Sequence, residues 1–131
     1  MINDFKNMMG SPEDTLVIIG DYSDNGFKGK APAISKKTVK IFRNHGYETY
    51  LIDEYNTSKK GSCCGGIMEN FVARKNGYLV WKLVKCTTCK SIHNRDHNAT
   101  KNMRIIVKAI MDGKERPATY KRPDNYPLRI A

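Results

Sequence analysis

Four cysteines constrain the fold of this chain more than any other feature. They are Cys63, Cys64, Cys86 and Cys89. The second pair has C-x2-C spacing, which lets two thiolates reach one tetrahedral ion from a tight turn. Between the pairs lie two β-prone runs, residues 67–74 and 78–84, which flank Asn76-Gly77, the strongest short hairpin signal. A hairpin brings its two ends together, so the sequence predicts a zinc ribbon in which all four thiols can meet.

The first cysteine pair departs from a regular ribbon. Such a ribbon would carry cysteine at position 61 as well as at 64, whereas this chain has Gly61 and an extra Cys63. Adjacent cysteines rarely bind one tetrahedral ion together, because neighbouring side chains tend to diverge. Three arrangements are open: Cys63 replaces the missing ligand through a rearranged loop, His93 completes the set, or three thiolates bind zinc weakly or not at all. Structural Zn²⁺ is expected, and free buried thiols are the alternative.

The positive charge is concentrated in the C-terminal part of the chain. Residues 1–55 carry 7 basic and 8 acidic side chains, whereas residues 56–131 carry 16 basic and 5 acidic ones. A one-sided basic field attracts polyanions, so nucleic acid is the expected partner and a merely soluble basic surface is the alternative. No signal peptide is visible, and no apolar run approaches the ~20 residues that span a bilayer. The sequence therefore predicts an intracellular protein without a membrane partner.

The remaining segments predict a strand, a helix and a second strand at the spacing of a βαβ unit, which implies parallel strands. These are residues 15–19, residues 35–44 with Gly46 as the C-terminal cap, and residues 47–52. Val39 and Phe42 are expected to face the core. A later helix over residues 98–111 has an apolar stripe formed by Ala99, Met103, Ile106, Val107 and Ile110, and Asp112-Gly113 ends it.

Two acidic positions are candidates for a second metal site. Asp96 comes directly before the helix over 98–111, and Glu54, next to Asp53, ends the second strand. Strand ends in open sheets with parallel strands are where sites are built, and Mg²⁺ prefers carboxylate oxygens. The alternatives are a helix-capping acid at Asp96 and a solvated loop start at Glu54. Cleavage of a phosphodiester by two metals normally needs a third carboxylate as well.

Three motifs, in this order, resemble a known family. They are residues 57–65 (TSKKGSCCG), the C-x2-C pair and residues 94–102 (NRDHNATKN). Together they are similar to the C-terminal signature of transposon-encoded RNA-guided nucleases, the bacterial TnpB proteins and the eukaryotic and giant-virus Fanzor proteins. Type V CRISPR effectors share this layout. Residues 18–23 and 52–58 are closer to Fanzor than to TnpB, and the resemblance covers about residues 15–110.

The resemblance implies the fold class. It is an α/β protein with a partial RNase H-like (RuvC) domain and an inserted β-hairpin zinc ribbon that binds target nucleic acid. The resemblance divides the chain into a flexible leader, the two parts of the RuvC domain, the ribbon and a basic extended tail. The boundaries are residues 1–14, residues 15–57 with 94–113, residues 58–93, and residues 114–131.

The resemblance also implies catalytic residues. Asp96 takes the position of the family's final metal-binding aspartate. The earlier strand end, where the family usually has a glutamate, carries Gly20 and Asp21. Glu54, displaced as in Fanzor-like proteins, is therefore the expected second catalytic residue, with Mg²⁺ as the cofactor. The family's first catalytic aspartate and its guide-RNA-binding regions lie upstream, and no segment of this chain matches them.

The expected function is the DNA-binding C-terminal portion of a transposase-like RNA-guided DNA endonuclease, inactive alone. Its partners would be DNA, a guide RNA and an upstream nuclease fragment, in the cytoplasm or nucleus on host or virus-factory DNA. The alternative is a non-catalytic zinc-ribbon nucleic-acid-binding protein.

Basic side chains around the ribbon are expected to contact phosphates. They are Lys59, Lys60, Arg74, Lys82, Lys85, Lys90, Arg95 and Lys101. Tyr78 or Trp81 would stack on bases, although packing of Trp81 within the ribbon is the preferred interpretation.

Overall fold

A computed structural model describes residues 2–21, 35–73 and 76–123. The chain divides into two compact units between Asp53 and Glu54. The first contains a two-stranded parallel sheet and the second a three-stranded antiparallel sheet. The predicted α/β class is therefore confirmed, while its RNase H-like identity stays a prediction. No helix in the part of the chain that the structure describes is long and apolar enough to cross a membrane.

The first unit is a strand–helix–strand arrangement preceded by a short helix. In order, its elements are α1 (Ile2–Met9), β1 (Leu16–Gly20), α2 (Ser35–Asn44) and β2 (Glu48–Ile52). The two strands run parallel, with Val17 opposite Thr49, as the spacing predicted. Gly46 ends α2 at φ +85°, and the N–H of Tyr47 donates to the carbonyl of Phe42 at 3.1 Å. Glycine adopts this left-handed conformation at no steric cost, so the helix ends where the sequence predicted.

Aromatic side chains form the core of the first unit. Phe42 and Tyr47 are buried with Val17, and Val39 is buried as well. Phe5 of α1 packs edge-on against Phe42 and Tyr47, with ring centroids 4.8 and 5.4 Å apart. The sequence predicts a flexible leader over residues 1–14; the structure instead has a packed helix over most of that segment, because Phe5 gains its partners only in the tertiary fold.

The second unit is built on the predicted hairpin. Its strands are β3 (Met68–Val72), β4 (Leu79–Cys86) and β5 (Ile92–Asn94), paired antiparallel in that order. The hairpin of β3 and β4 surrounds Asn76-Gly77, as the sequence predicted. β5 was not predicted, because three residues are too few to show a periodic pattern. This strand follows the second cysteine turn in the chain, and its residue His93 lies opposite Val84 of β4.

A change of register interrupts the pairing of β3 with β4. Phe71 lies opposite Val80, but the next pair along the hairpin is Asn70 with Val84. The three intervening residues of β4 therefore have no partner on β3. They are Trp81, Lys82 and Leu83. Such a bulge bends the strand and turns its side chains away from the regular alternation.

The last helix, α3 (Arg95–Met111), ends as predicted but begins three residues before the predicted start at residue 98. The side chain of its N-cap, Asn94, accepts hydrogen bonds from the N–H groups of Asp96 and His97. Gly113 follows at φ +70°. The interior face differs from the predicted stripe, because the buried residues are Asn98, Asn102 and Ile106. Of the apolar stripe only Ile106 is fully buried, and Ile110 is exposed.

The segment after α3 packs locally rather than extending into solvent throughout. Ala118–Tyr120 form a 3-10 helix, and Tyr120 is buried. The sequence predicted a basic extended tail over residues 114–131, of which 124–131 lie outside the described residues. The domain boundaries taken from the resemblance stay predictions.

Candidate metal centre and nucleic-acid interface

The four cysteines come together in the second unit as free thiols. Their sulfur atoms all lie within 4.8 Å of one another. The Sγ–Sγ distances are 3.8 Å for Cys63–Cys64, 3.2 Å for Cys63–Cys89 and 3.5 Å for Cys64–Cys86. Tetrahedral thiolates at a Zn–S distance of about 2.3 Å would be about 3.8 Å apart. The donor set and its spacing are therefore consistent with a structural zinc site.

Cys63 supplies the fourth sulfur of this cluster. A Cβ atom at Gly61 would lie 3.1 Å from the Cys63 sulfur and 3.1 Å from the sulfur of Met68. The Cys63 thiol thus occupies the space beside position 61, where a regular ribbon has its ligand. His93 stays outside the cluster, with its Nε2 atom 2.8 Å from the Ser91 hydroxyl. Of the three arrangements left open by the sequence, the structure adopts the rearranged loop.

Backbone hydrogen bonds hold the first cysteine turn. The N–H of Gly61 donates to the carbonyl of Gly66 at 2.7 Å, and the N–H of Gly65 donates to the carbonyl of Gly61 at 2.8 Å. A Cβ atom at Gly66 would lie only 2.5 Å from the Thr88 hydroxyl and 2.8 Å from the Cys86 sulfur. A larger residue would therefore push the two cysteine turns apart. Gly66 had no predicted role, although the glycine pair after Cys64 was a visible signal.

The second cysteine turn is closed by Ser91. The N–H of Cys86 donates to the Ser91 carbonyl at 2.9 Å, and the Ser91 hydroxyl lies 2.9 Å from the sulfur of Cys89. Lys90 adopts a left-handed φ of +63° within this turn. The same serine hydroxyl donates to the Cys63 sulfur at 3.4 Å. Ser91 thus links both cysteine turns, a role that nothing in its sequence position indicated.

Hydrogen bonds within the cluster separate the pKa values of the thiols. The Ser91 side chain, and then its backbone, lower the pKa of Cys89 to about 6. The Cys89 backbone N–H is the main cause of a lowered pKa at Cys86. The Gly66 N–H lowers the pKa of Cys64, but hydrogen bonds with the Cys86 and Cys89 thiols outweigh it and raise that pKa to about 11. Because the pKa of Cys64 is raised to about 11, metal binding would have to release the proton of that thiol.

Two asparagines of α3 hold the segment that leads into the first cysteine turn. Asn98 and Asn102 are 1% and 0% exposed. The Asn102 amide donates to the carbonyls of Thr57 at 2.8 Å and Lys60 at 2.7 Å. The Asn98 amide donates to the same Lys60 carbonyl at 2.8 Å and accepts the N–H of Ser62 at 2.8 Å. Residues four apart share a helix face, so the motif over 94–102 positions the cysteine turn on α3.

The segment after α3 completes this polar network. The Tyr120 hydroxyl donates to the Asn102 side-chain oxygen at 2.7 Å, and the Asn56 amide donates to the carbonyl of Thr119 at 3.0 Å. The Asn102 side chain therefore uses both its donors and its acceptor. Sequence reasoning missed these roles, because hydrophobic periodicity does not report buried polar contacts.

The two candidate carboxylates both belong to the second unit. Asp96 is exposed in the first turn of α3. Glu54 is half-buried, and its carbonyl accepts from the N–H of Thr57 at 3.0 Å and from its hydroxyl at 2.8 Å. Over the described residues, the cysteines are the only group of three or more potential ligands within metal-binding reach. A catalytic role for Glu54 and Asp96 therefore stays a prediction.

The basic residues of the predicted interface differ in accessibility. Lys59, Lys82, Lys90 and Lys101 are exposed, Lys60, Lys85 and Arg95 are half-buried, and Arg74 lies outside the described residues. The Arg95 guanidinium donates to the Asn70 side-chain oxygen, and the Lys90 amine donates to the Thr87 carbonyl at 2.6 Å. Trp81 is 69% exposed and Tyr78 is 71% exposed. The predicted packing of Trp81 within the ribbon is therefore wrong, because the bulge leaves that residue without a partner strand.

The hairpin, the third strand and the cysteine cluster define a zinc-ribbon-like domain with four clustered thiols. Residues 38–103, half of the chain, match the family described as Cas12f1-like, TNB domain. The chain belongs to this family, the target-nucleic-acid-binding domain of nucleases of the TnpB and Cas12f type, so the resemblance is confirmed. A TNB domain implies binding of target nucleic acid. No curated protein matches the chain.

Proposed function

We propose that this chain binds target DNA through a zinc-held ribbon and serves an RNA-guided DNA endonuclease. The observation that carries the proposal is the cluster of four thiols, all within 4.8 Å, inside a segment of the TNB family. All four cysteines lie within the 66 residues of the family match, so the sulfur cluster belongs to the matched domain.

The proposed zinc ion has a structural role. Cys63, Cys64, Cys86 and Cys89 would complete its coordination, which leaves no open position for water or substrate. When bound, the ion supplies a rigid link between the two cysteine turns. The chain adds a second link through the hydrogen bonds of Ser91 to cysteines of both turns.

Charge supports DNA as the partner of the ribbon. Residues 56–131 carry 16 basic and 5 acidic side chains, and Lys59, Lys82 and Lys101 are exposed. Such side chains neutralise phosphates and release counterions, so they give affinity that does not depend on base sequence. Base pairing with a guide RNA would supply the sequence specificity.

Catalysis is proposed to need more than this chain. Glu54 and Asp96 would bind Mg²⁺ as part of a partial RuvC, RNase H-like domain. Two-metal cleavage normally needs a third carboxylate, and the described residues hold no group of three carboxylates within metal-binding reach. We therefore propose that the chain alone is inactive and that a nuclease fragment with the remaining aspartate acts beside it.

A non-catalytic nucleic-acid-binding protein is the second candidate function. The observation that favours it is the network of Asn98 and Asn102, which gives the motif over 94–102 a structural role without any contribution from the Asp96 carboxylate. The presence of the motif over 94–102 therefore does not by itself indicate catalytic activity.

One experiment tests binding and cleavage together. The Zn²⁺-loaded chain is titrated into fluorescently labelled DNA, and anisotropy is measured between about 50 and 200 mM salt. We expect affinity to fall steeply and linearly on logarithmic axes, and a flat response would contradict a phosphate-based interface. With Mg²⁺ or Mn²⁺ we expect no cutting. Cutting that disappears in Asp96→Ala, but persists in the matched Glu115→Ala variant, would contradict inactivity of the isolated chain.

A further inference from the structure

The bulge of β4 presents a tryptophan to solvent. Trp81 is the first of three β4 residues without a partner on β3, and it is 69% exposed. It is also the only tryptophan of the chain. A large aromatic side chain gains free energy from burial, so an exposed tryptophan on an ordered strand is a candidate contact for a partner.

Residues other than Trp81 form the buried cluster of this sheet. Met68, Val84 and Cys86 form the buried cluster of the sheet, with Cys86 0% exposed. The cluster does not include Trp81, so packing within the ribbon does not explain the tryptophan. Bulges recur next to functional sites because they re-aim one side chain while the flanking pairs keep their register.

Exposed basic and aromatic residues lie near Trp81 along the chain. Lys82, the next residue of the bulge, is exposed, and Tyr78, three residues earlier, is 71% exposed. An aromatic plane beside a cation matches the two chemical parts of a nucleotide, a base with a π face and a phosphate with a negative charge. In a duplex the base faces are covered by neighbouring pairs, so this combination suits an unpaired base.

We propose that Trp81 stacks on an unpaired base of the bound nucleic acid while Lys82 neutralises an adjacent phosphate. The inference rests on the proposed function and deepens it, since it assigns a residue and a strand state to the contact. Exposed lysines elsewhere on the ribbon give affinity for any polyanion. The bulge gives preference for single strands.

The single tryptophan makes the test site-specific. The Zn²⁺-loaded full chain is titrated with a single-stranded DNA oligonucleotide and with its duplex, and two signals are followed. Anisotropy of a labelled oligonucleotide measures binding, and tryptophan fluorescence measures stacking at Trp81. We expect quenching by the single strand and much less by the duplex at equal saturation.

Variants separate stacking from charge. Trp81→Ala should weaken single-strand binding about tenfold and leave the salt dependence unchanged, because stacking releases no counterions. Trp81→Phe should retain most of the affinity, since a phenyl ring still stacks. Lys82→Ala should reduce the logarithmic salt slope by about one phosphate contact. Tyr50→Ala, which removes a 51% exposed aromatic side chain from the first unit, is the matched control and should change neither signal.

The outcomes distinguish this inference from the proposed function. Binding without quenching, together with full affinity in Trp81→Ala, overturns the role of Trp81 and leaves DNA binding intact. Equal quenching by duplex and single strand overturns the preference for unpaired bases. If neither oligonucleotide binds, the proposed function itself fails. Self-association of the chain that is lost in Trp81→Ala would show a protein contact instead, which also overturns the inference.

Discussion

The two units of this chain are stabilised by different kinds of burial. The first has an apolar and aromatic core in which Phe5 packs against Phe42 and Tyr47. Among the described residues, the five largest fully buried side chains all belong to the second unit, and only Ile106 among them is a hydrocarbon. The others are Asn98, Asn102, Thr57 and Cys86.

This difference indicates what each unit needs in order to fold. Apolar surface is stabilised by leaving water, so burial of this kind needs no metal. Buried amides and thiols are stabilised only when each finds its hydrogen bonds or its metal. The second unit should therefore depend on a cation and on individual polar contacts to an extent that the first does not.

Removal of zinc should have the largest effect. Chelation, or the variant Cys86→Ser, is expected to unfold the second unit, because structural zinc sites contribute about 10–16 kcal/mol, as much as a whole domain's stability. In a two-dimensional amide NMR spectrum, the dispersed signals of residues 54–123 should collapse while those of 2–53 persist. Ser58→Ala, at an exposed position of the same unit, is the control. If both sets of signals are retained without metal, the second unit does not need zinc to fold and the proposed difference between the units is wrong.

Loss of the Asn102 amide should have the next largest effect. Asn102→Leu leaves the carbonyls of Thr57 and Lys60 and the hydroxyl of Tyr120 without that partner. The Lys60 carbonyl keeps the Asn98 amide. The Tyr120 hydroxyl, however, loses its acceptor, and the Thr57 carbonyl loses its 2.8 Å donor. We expect the free energy of unfolding of the second unit to fall by about 3 kcal/mol, since an unsatisfied buried group costs about 1–3 kcal/mol. Chemical denaturation of the Zn²⁺-loaded chain measures this. The exposed Arg104→Ala on the same helix should change stability by no more than about 0.5 kcal/mol, and an equal loss there would argue against the network.

A side chain at Gly66 should weaken the metal centre itself. Gly66→Ala places a Cβ atom 2.8 Å from the Cys86 sulfur, so the two cysteine turns must separate. Overpacking of this kind costs about 1–3 kcal/mol, and zinc affinity should fall about tenfold or more in a competition titration with a chelator. Ser58→Ala, at an exposed position of the same unit, should leave zinc affinity unchanged. Equal affinities in both variants would show that the close approach is not required.

Truncation of Phe5 should have the smallest effect and should be confined to the first unit. Phe5 is half-buried, so Phe5→Ala is expected to lower the free energy of unfolding of that unit by about 2 kcal/mol. Zinc affinity should not change. Met8→Ala, which removes a 76% exposed side chain from the same helix, should have almost no effect. A change of zinc affinity in Phe5→Ala would show that the two kinds of stabilisation are coupled.

Local patterns predicted the regular elements well. The β1–α2–β2 arrangement, the hairpin around Asn76-Gly77 and the termination of α3 near Gly113 all follow from periodicity and turn chemistry. Two short elements with no periodic pattern, β5 and α1, were not predicted from the sequence. β5 has three residues, and α1 has eight whose stability depends on the contacts of Phe5 with distant rings.

The sequence predicted the cysteines of the candidate site but not the residues that hold the cysteine turns in place. Cysteine spacing indicated four thiols, but the choice of Cys63 over His93 depended on the shape of the loop at Gly61. The roles of Ser91 and Asn102 had no sequence signal, because polar residues are usually exposed and their burial depends on which carbonyls lie opposite.

The sequence by itself determined a cysteine-held basic ribbon and its family, because ligand spacing, turn residues and charge are local properties of the chain. Only the tertiary structure decided which sulfur completes the cluster, which face of α3 is buried and where Trp81 lies. The physical reason is that each of these depends on atoms far apart in sequence, such as the amide of Asn102 and the carbonyl of Thr57. Their distances are set by packing and by the register of β4, which no local pattern specifies.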